Sequence, residues 1–114
     1  MHTCELLLHK EEEKRCLGSY HSVSEVISAT KQLRHAGERE LSRLLKDESL
    51  IPCTFKGKEV HRSSPLLFCG TIYSDDRDNE YVIALYHKSA RGWVTERYWL
   101  KDPFLSDLFL VVLE

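Results

Sequence analysis

The longest patterned stretch of the chain is residues 22–48, where apolar residues recur at helical spacing. Residues three or four positions apart lie on one side of an α-helix, because a turn takes about 3.6 residues. The stripe comprises Val23, Val26, Ile27, Thr30, Leu33, Gly37, Leu41, Leu44 and Leu45. This spacing predicts one long amphipathic helix that packs its apolar side on a sheet.

Two local signals bear on the start and the continuity of this helix. Ser22 and Glu25 form a capping box, in which the serine hydroxyl accepts from the Glu25 N–H and the carboxylate reaches back. Gly37 costs about 1 kcal/mol relative to alanine inside a helix, and the alternative is that it follows a helix end, with Glu38 beginning a second helix. Since the stripe keeps its phase through Gly37, we favour one continuous helix in which Gly37 allows close approach to the sheet.

Short apolar runs on both sides of the helix predict strands. Residues 3–9 lack alternation, which favours an interior strand, and residues 15–20 return as a second strand after the charged loop 10–14. Beyond the helix, a hairpin turning at Lys56 and Gly57 precedes a three-stranded meander. The meander strands are 66–74, 80–88 and 93–100, and residues 106–113 form a last strand that we expect beside the first.

Together these elements predict one globular α+β domain over residues 1–114. Its sheet is antiparallel or mixed, has five to seven strands and includes the C-terminal meander. One long helix, continuous or broken at Gly37, packs on that sheet.

Composition narrows the classes of partner. With 42% hydrophobic and 30% charged residues, the chain is typical of a folded globular protein. A net charge of −2 argues against non-specific electrostatic binding of the whole chain to nucleic acid or to an anionic membrane. It does not exclude a local basic patch. The four cysteines, without a C-x-x-C pair or a secretory apolar region, favour reduced thiols, and we expect a cytoplasmic protein.

One strand of the meander carries an aromatic–cationic pattern. Alternation along residues 93–100 puts Trp93, Arg97 and Trp99 on one face, and an arginine between two tryptophans is unusual for a core face. Tryptophan and arginine are enriched where proteins bind each other. These three residues are the predicted partner-binding site, unless a second layer or a dimer partner covers them.

The polar side of the predicted helix carries a second candidate surface. His35, Arg39, Arg43 and Lys46 gather positive charge at helical spacing. This is a candidate nucleic-acid-binding face, and the alternative is a solvated surface whose charge neighbouring glutamates compensate.

Signals for catalysis and metals are weak. Histidine and cysteine pairs lack the second half that a zinc site needs, and the acidic residues at 75–80 are those that a hairpin turn selects. His61 and His87 are the best candidates for a general base, but no catalytic or phosphate-binding motif accompanies them. We therefore predict no catalytic residues, no metal and no cofactor.

The favoured function is a small intracellular, non-catalytic interaction or regulatory domain, resembling an inhibitor or adaptor in its role. It would bind a protein partner, or a second copy in a homodimer, through the aromatic–cationic face and would not engage a membrane. The alternative is a nucleic-acid-binding protein that uses the basic helix face. A small enzyme with a dispersed site is less favoured.

Overall fold

The computed structural model of the protein describes residues 6–10, 22–103 and 107–114. In chain order the elements are β1 (Leu6–His9), α1 (Val23–Ala29), β2 (Arg34–His35), α2 (Glu38–Lys46), β3 (Thr54–Phe55), β4 (Lys58–Glu59), β5 (Leu66–Ser74), β6 (Glu80–Lys88), β7 (Gly92–Trp99) and β8 (Phe109–Leu113), with a 3-10 turn at Glu48–Leu50. The fold is α+β, as predicted. The predicted strand 15–20 and most of the loop before it lie outside the described residues.

The main sheet is mixed and has the spatial order β1-β8-β5-β6-β7. All of its pairs along this path are antiparallel except β5 with β8, which run parallel. The predicted meander is confirmed as β5, β6 and β7. The predicted last strand is also confirmed, since β8 lies between β1 and β5 with Leu8 opposite Val111.

A separate two-stranded sheet, β3 with β4, forms the predicted hairpin. Its turn residues Lys56 and Gly57 both have positive φ, 52° and 76°. Two successive residues with positive φ give a turn whose twist matches that of the flanking strands, and this explains the tight two-residue connection. The hairpin packs Phe55 edge-on against Phe109 of β8, with ring centroids 5.5 Å apart.

The favoured prediction of one continuous helix over residues 22–48 is not confirmed, whereas the alternative, in which Glu38 begins a second helix, agrees with the start of α2. α1 ends at Ala29, the chain then adds β2 to the sheet by pairing with β8, and α2 begins at Glu38. The residues between the helices bond to the sheet instead of to a helical turn: the Ala36 N–H donates to the Val111 carbonyl at 2.9 Å, and the Gly70 N–H donates to the Ala36 carbonyl at 2.8 Å. These bonds replace the ones that a continuous helix would have made.

The two helices lie on opposite faces of the sheet. Val23 and Val26 of α1 share one apolar cluster with inward residues of the sheet, namely Leu67, Cys69, Val82, Ala84, Leu110 and Val112. Leu41 and Leu44 of α2 share the other cluster, with Leu8, Leu66, Phe68, Leu85, Phe109 and Val111. Successive strand residues face opposite sides, so one sheet supplies both cores. The apolar stripe is therefore divided between the two faces.

Local capping explains where each helix starts. The Ser22 hydroxyl accepts from the Glu25 N–H at 3.2 Å, which confirms the serine half of the predicted capping box. At α2 the Gly37 N–H donates to the Glu40 carboxylate at 2.7 Å. The Glu38 N–H donates to the Thr71 hydroxyl of β5 at 2.9 Å, so this helix start is fastened to the sheet.

Gly37 does make the close approach that was expected of it, although from outside a helix. A Cβ at Gly37 would collide with the Thr71 hydroxyl oxygen, and one at Gly70 would collide with the His35 carbonyl oxygen and lie 2.8 Å from the Ala36 carbonyl carbon. Two glycines thus let the segment before α2 pass directly over β5.

Candidate interaction surface

The face of β7 that carries Trp93, Arg97 and Trp99 is the face on which α2 packs. The opposite face, with Tyr98 and Leu100, belongs to the α1 cluster. α2 covers the middle of its face, where its leucines meet the central strands. The outer part of that face, over β6, β7 and the far end of β5, remains accessible.

Three rings form a ladder across this accessible part, one from each meander strand. Tyr73 stacks on Tyr81 with centroids 5.4 Å apart and an interplanar angle of 16°. Trp99 meets Tyr81 edge-on at 5.3 Å, and the Arg97 guanidinium lies 4.6 Å from the Tyr81 ring centroid. We call Tyr73, Tyr81, Trp99 and Arg97 the aromatic ladder.

The aromatic ladder is a surface feature. Its three rings are partly exposed and Arg97 is exposed. The pKa of Tyr73 is raised above its usual value, first by partial burial and then by the neighbouring Glu38 carboxylate. The ladder therefore borders the start of α2, where the negative charge of Glu38 lies beside the tyrosine.

Trp93 lies apart from the ladder. It is six positions from Trp99 on the same strand, which corresponds to about 20 Å at about 3.3 Å per residue. Its ring meets His87 edge-on at 5.4 Å and packs partly against the α2-side core. The structure thus brings Arg97 and Trp99 together, and it leaves Trp93 at the other end of β7.

The outer edge of β7 presents backbone groups as well. The Leu100 N–H donates to the Glu80 carbonyl at 3.0 Å, and Tyr81 lies opposite Trp99. Because hydrogen bonding alternates along an antiparallel pair, the even-numbered residues of β7 bond to β6. The N–H and C=O groups of its odd-numbered residues, 93 to 99, point away from β6, and no strand pairs with that edge among the described residues. The Trp99 carbonyl there accepts from the Asp102 N–H at 3.0 Å.

The predicted basic face is only partly assembled. Arg39, Arg43 and Lys46 are exposed along α2, but His35 lies in β2, so its predicted position on a common helix face is wrong. His35 Nε2 lies 3.0 Å from the Thr30 hydroxyl, and its buried Nδ1 has no hydrogen-bond partner among the described residues. Burial lowers the pKa of His35, partly offset by its hydrogen bond to the Thr30 carbonyl.

His61 and His87 both border one open cleft of about 600 Å³, near Arg62, Ser63 and Ser89. The His61 Nδ1 accepts from the Ser63 N–H at 3.2 Å, and the serine hydroxyl also contacts this nitrogen. Both residues of the pair are exposed. The arrangement joins a hydroxyl to a base, but no third group orients the imidazole within the described part of the chain.

Metal ligation finds little support. In residues 6–10, 22–103 and 107–114 no three histidine, cysteine, aspartate or glutamate side chains converge on a possible metal position. The Asp75 carboxylate accepts from the backbone N–H groups of Arg77 and Asn79 at 2.8 and 2.9 Å, and these bonds lower its pKa. Its acidic segment is therefore the hairpin turn that the sequence indicated.

Comparison of the chain with protein-family models, with curated proteins and with solved structures gives no significant match. No helix in the described ranges has both the length and the apolar character needed to cross a membrane.

Proposed function

We propose that the protein is a non-catalytic interaction domain that binds a protein partner at the β7 edge and the adjoining aromatic ladder. The observation that carries this proposal is the coincidence of the two features. A strand edge with no pairing strand in residues 6–10, 22–103 and 107–114 lies directly beside three partly exposed rings and an arginine.

The two features would act together on an extended segment of the partner. Added to the sheet edge, such a segment would form main-chain hydrogen bonds with the outward groups of Thr95 and Arg97. Its alternate side chains would then face the ladder, where tyrosine, tryptophan and arginine supply contact area at small cost in conformational entropy. The backbone would contribute affinity and the ladder would contribute specificity.

The proposal includes a regulatory role, as an inhibitor or adaptor, and a cytoplasmic location. Cys53 and Cys69 are both free thiols, as expected in a reducing compartment. A second copy of the chain is also a chemically suitable partner for an open edge. Light scattering of the purified protein over a concentration series would reveal such self-association before any other partner is sought.

The test is affinity capture from native extract, with quantitative mass spectrometry, by the wild type and three variants. Tyr81→Ala removes the central ring of the ladder, and Arg97→Glu reverses its charge. Arg43→Glu, at an exposed position of α2, makes the same charge change elsewhere and is the matched control. A hot-spot contribution of about 2 kcal/mol predicts roughly 30-fold weaker binding for both ladder variants and little change for the control.

Nuclease treatment of the same extract distinguishes the alternative. If Arg39, Arg43 and Lys46 bind nucleic acid, captured material should disappear with nuclease, and the Arg43→Glu variant should lose it as well. Capture that depends on Arg43 but not on Arg97 or Tyr81 would refute the proposed site. Unfolding of Tyr81→Ala, detected by circular dichroism, would leave Arg97→Glu as the deciding variant, since Arg97 is exposed.

A further inference from the structure

The end of the sheet near Trp93 carries an excess of positive charge, although the whole chain has a net charge of −2. Two open clefts meet there and share Glu59, Val60 and His61. Their linings hold four permanent cations, Lys10, Lys56, Lys58 and Arg62, against two carboxylates, those of Glu59 and Asp107. Four minus two gives a local formal charge of +2 before either histidine is protonated.

The cleft of about 600 Å³ has the more varied donors of the two. It is bordered by His61, Arg62, Ser63, His87 and Ser89, and Glu59 is its one acidic residue in the described part of the chain. A single carboxylate among so many donors makes the lining better suited to an anionic ligand than to a cation. Its volume is within the range typical of small-molecule sites.

The turn that carries Arg62 is held in place by specific hydrogen bonds. The His87 N–H of β6 donates to the Arg62 carbonyl at 2.9 Å, and the Ser64 N–H donates to the His61 carbonyl at 3.0 Å. The His61 Nδ1 accepts from the Ser63 N–H at 3.2 Å. When neutral, His61 therefore keeps its proton on Nε2, and that nitrogen is a hydrogen-bond donor.

On the other wall, the His87 ring is packed edge-on against Trp93, with centroids 5.4 Å apart. The backbone of His87 is bonded to Arg62, so the imidazole and the guanidinium come from adjoining segments. The two walls thus bring Arg62, two histidines and Ser89 into the lining of one cleft.

We propose that this cleft binds a phosphate monoester. The planar guanidinium suits two oxygens of one phosphate, and a phosphate offers further acceptors to the imidazoles and the serine hydroxyl. A carboxylate has only two oxygens and one charge, so it would leave some of these donors unused. This inference does not depend on the proposed protein partner, because the cleft and the aromatic ladder lie at opposite ends of β7.

The two tryptophans make the test internally controlled. Trp93 contacts His87 at the cleft, whereas Trp99 belongs to the ladder about 20 Å away. In ¹H–¹⁵N spectra we expect phenyl phosphate and inorganic phosphate to shift the Trp93 indole signal in a saturable manner, with no shift at Trp99. Benzoate and sodium chloride at equal ionic strength should shift neither signal.

Two exposed residues of the cleft provide variants that should keep the fold. Arg62→Gln should weaken phenyl phosphate binding at least tenfold, and Ser89→Ala should weaken it less. Arg43→Gln on α2 removes the same charge from a residue that does not line the cleft, and it should change binding less than twofold. Folding of each variant is checked from its unchanged amide spectrum.

Several results would overturn the proposal. Shifts that grow linearly with phosphate, or that benzoate reproduces, would indicate general ion effects. Equal affinity in Arg62→Gln and Arg43→Gln would remove Arg62 from the site. If a single-stranded oligonucleotide moves the Trp93 signal while phenyl phosphate does not, the surface binds a polyanion, and the monoester proposal fails.

Discussion

Proline at two neighbouring positions of β7 tests whether its outer edge is open. Thr95→Pro removes an N–H that points away from β6, and Glu96→Pro removes one that points toward Ala84 of β6. Proline is tolerated on the free side of an edge strand but not inside a hydrogen-bonded ladder. The two substitutions therefore introduce the same ring with opposite consequences for the sheet.

The expected magnitudes follow from this geometry. Glu96→Pro deprives the buried Ala84 carbonyl of its partner, about 1–3 kcal/mol, and the ring adds a steric clash with β6, giving a loss of about 3 kcal/mol in unfolding free energy. Thr95→Pro gives up only strand propensity, about 1 kcal/mol or less. Urea unfolding followed by tryptophan fluorescence measures both values.

Partner capture then completes the experiment. Thr95→Pro should lose the partner while it remains folded, because a strand added to the edge needs the outward Thr95 N–H as a donor. Equal destabilisation by the two prolines would show that the outer edge is already paired. Undiminished capture by folded Thr95→Pro would refute strand addition as the binding mode.

Three further predictions concern the scaffold. Gly70→Ala should lower the unfolding free energy by about 2–4 kcal/mol, because the added Cβ collides with backbone atoms and a hydrogen bond is lost. Gly57→Ala, at a residue with positive φ but open surroundings, should lower it by about 1 kcal/mol. Equal losses for the two variants in urea unfolding would contradict this prediction. Burial raises the pKa of Cys69 to about 12, so alkylation at pH 8 mapped by mass spectrometry should modify exposed Cys53 and should modify Cys69 only in denaturant. Burial lowers the pKa of His35 in the folded state below its ordinary value of 6.5, so the unfolded chain binds the proton more readily. The stability that neutral His35 contributes is therefore present above pH 6.5 and is lost as the pH falls through the folded-state pKa. Urea unfolding from pH 8 to pH 5 should therefore show a shallower decline for His35→Gln than for the wild type, and parallel profiles would contradict the assignment.

Much of the sheet was predictable because its signals are local. The meander strands are rich in β-branched and aromatic residues and are separated by turn residues such as those at 75–79. The Lys56 and Gly57 turn has the same local character. The run FLVVL at 109–113 lacks alternation because both of its faces are covered, which correctly indicated an interior strand.

The break in the predicted helix was not readable from periodicity. The stripe keeps its phase through Gly37, and nothing nearby in the sequence announces that Ala36 will bond to Val111 and Gly70. Those partners are 75 and 34 positions away, respectively (111 − 36 and 70 − 36). Tertiary hydrogen bonds overrode a local helical pattern, which is a common reason for such errors.

The sequence indicated only part of the candidate site, because the rest depends on contacts between strands. Alternation along one strand correctly grouped Arg97 with Trp99 on one face. Tyr73 and Tyr81 were missed as members because their meeting depends on strand register, and β5 shifts register between Phe68 and Tyr73. Sequence alternation identifies a face, but it does not identify which residues of neighbouring strands meet there.

The position of β8 between β1 and β5 has a consequence for how the chain folds. Leu6 and Leu113 pair although 107 positions separate them, and closing a loop of that length costs about 4 kcal/mol of chain entropy before the contact contributes. During synthesis, Leu66 and Leu67 of β5 lack their β8 partners until residues 109–113 have left the ribosome. We therefore expect the meander to form first, and refolding to be slow for a domain of this size because β1 and β8 are so distant in sequence.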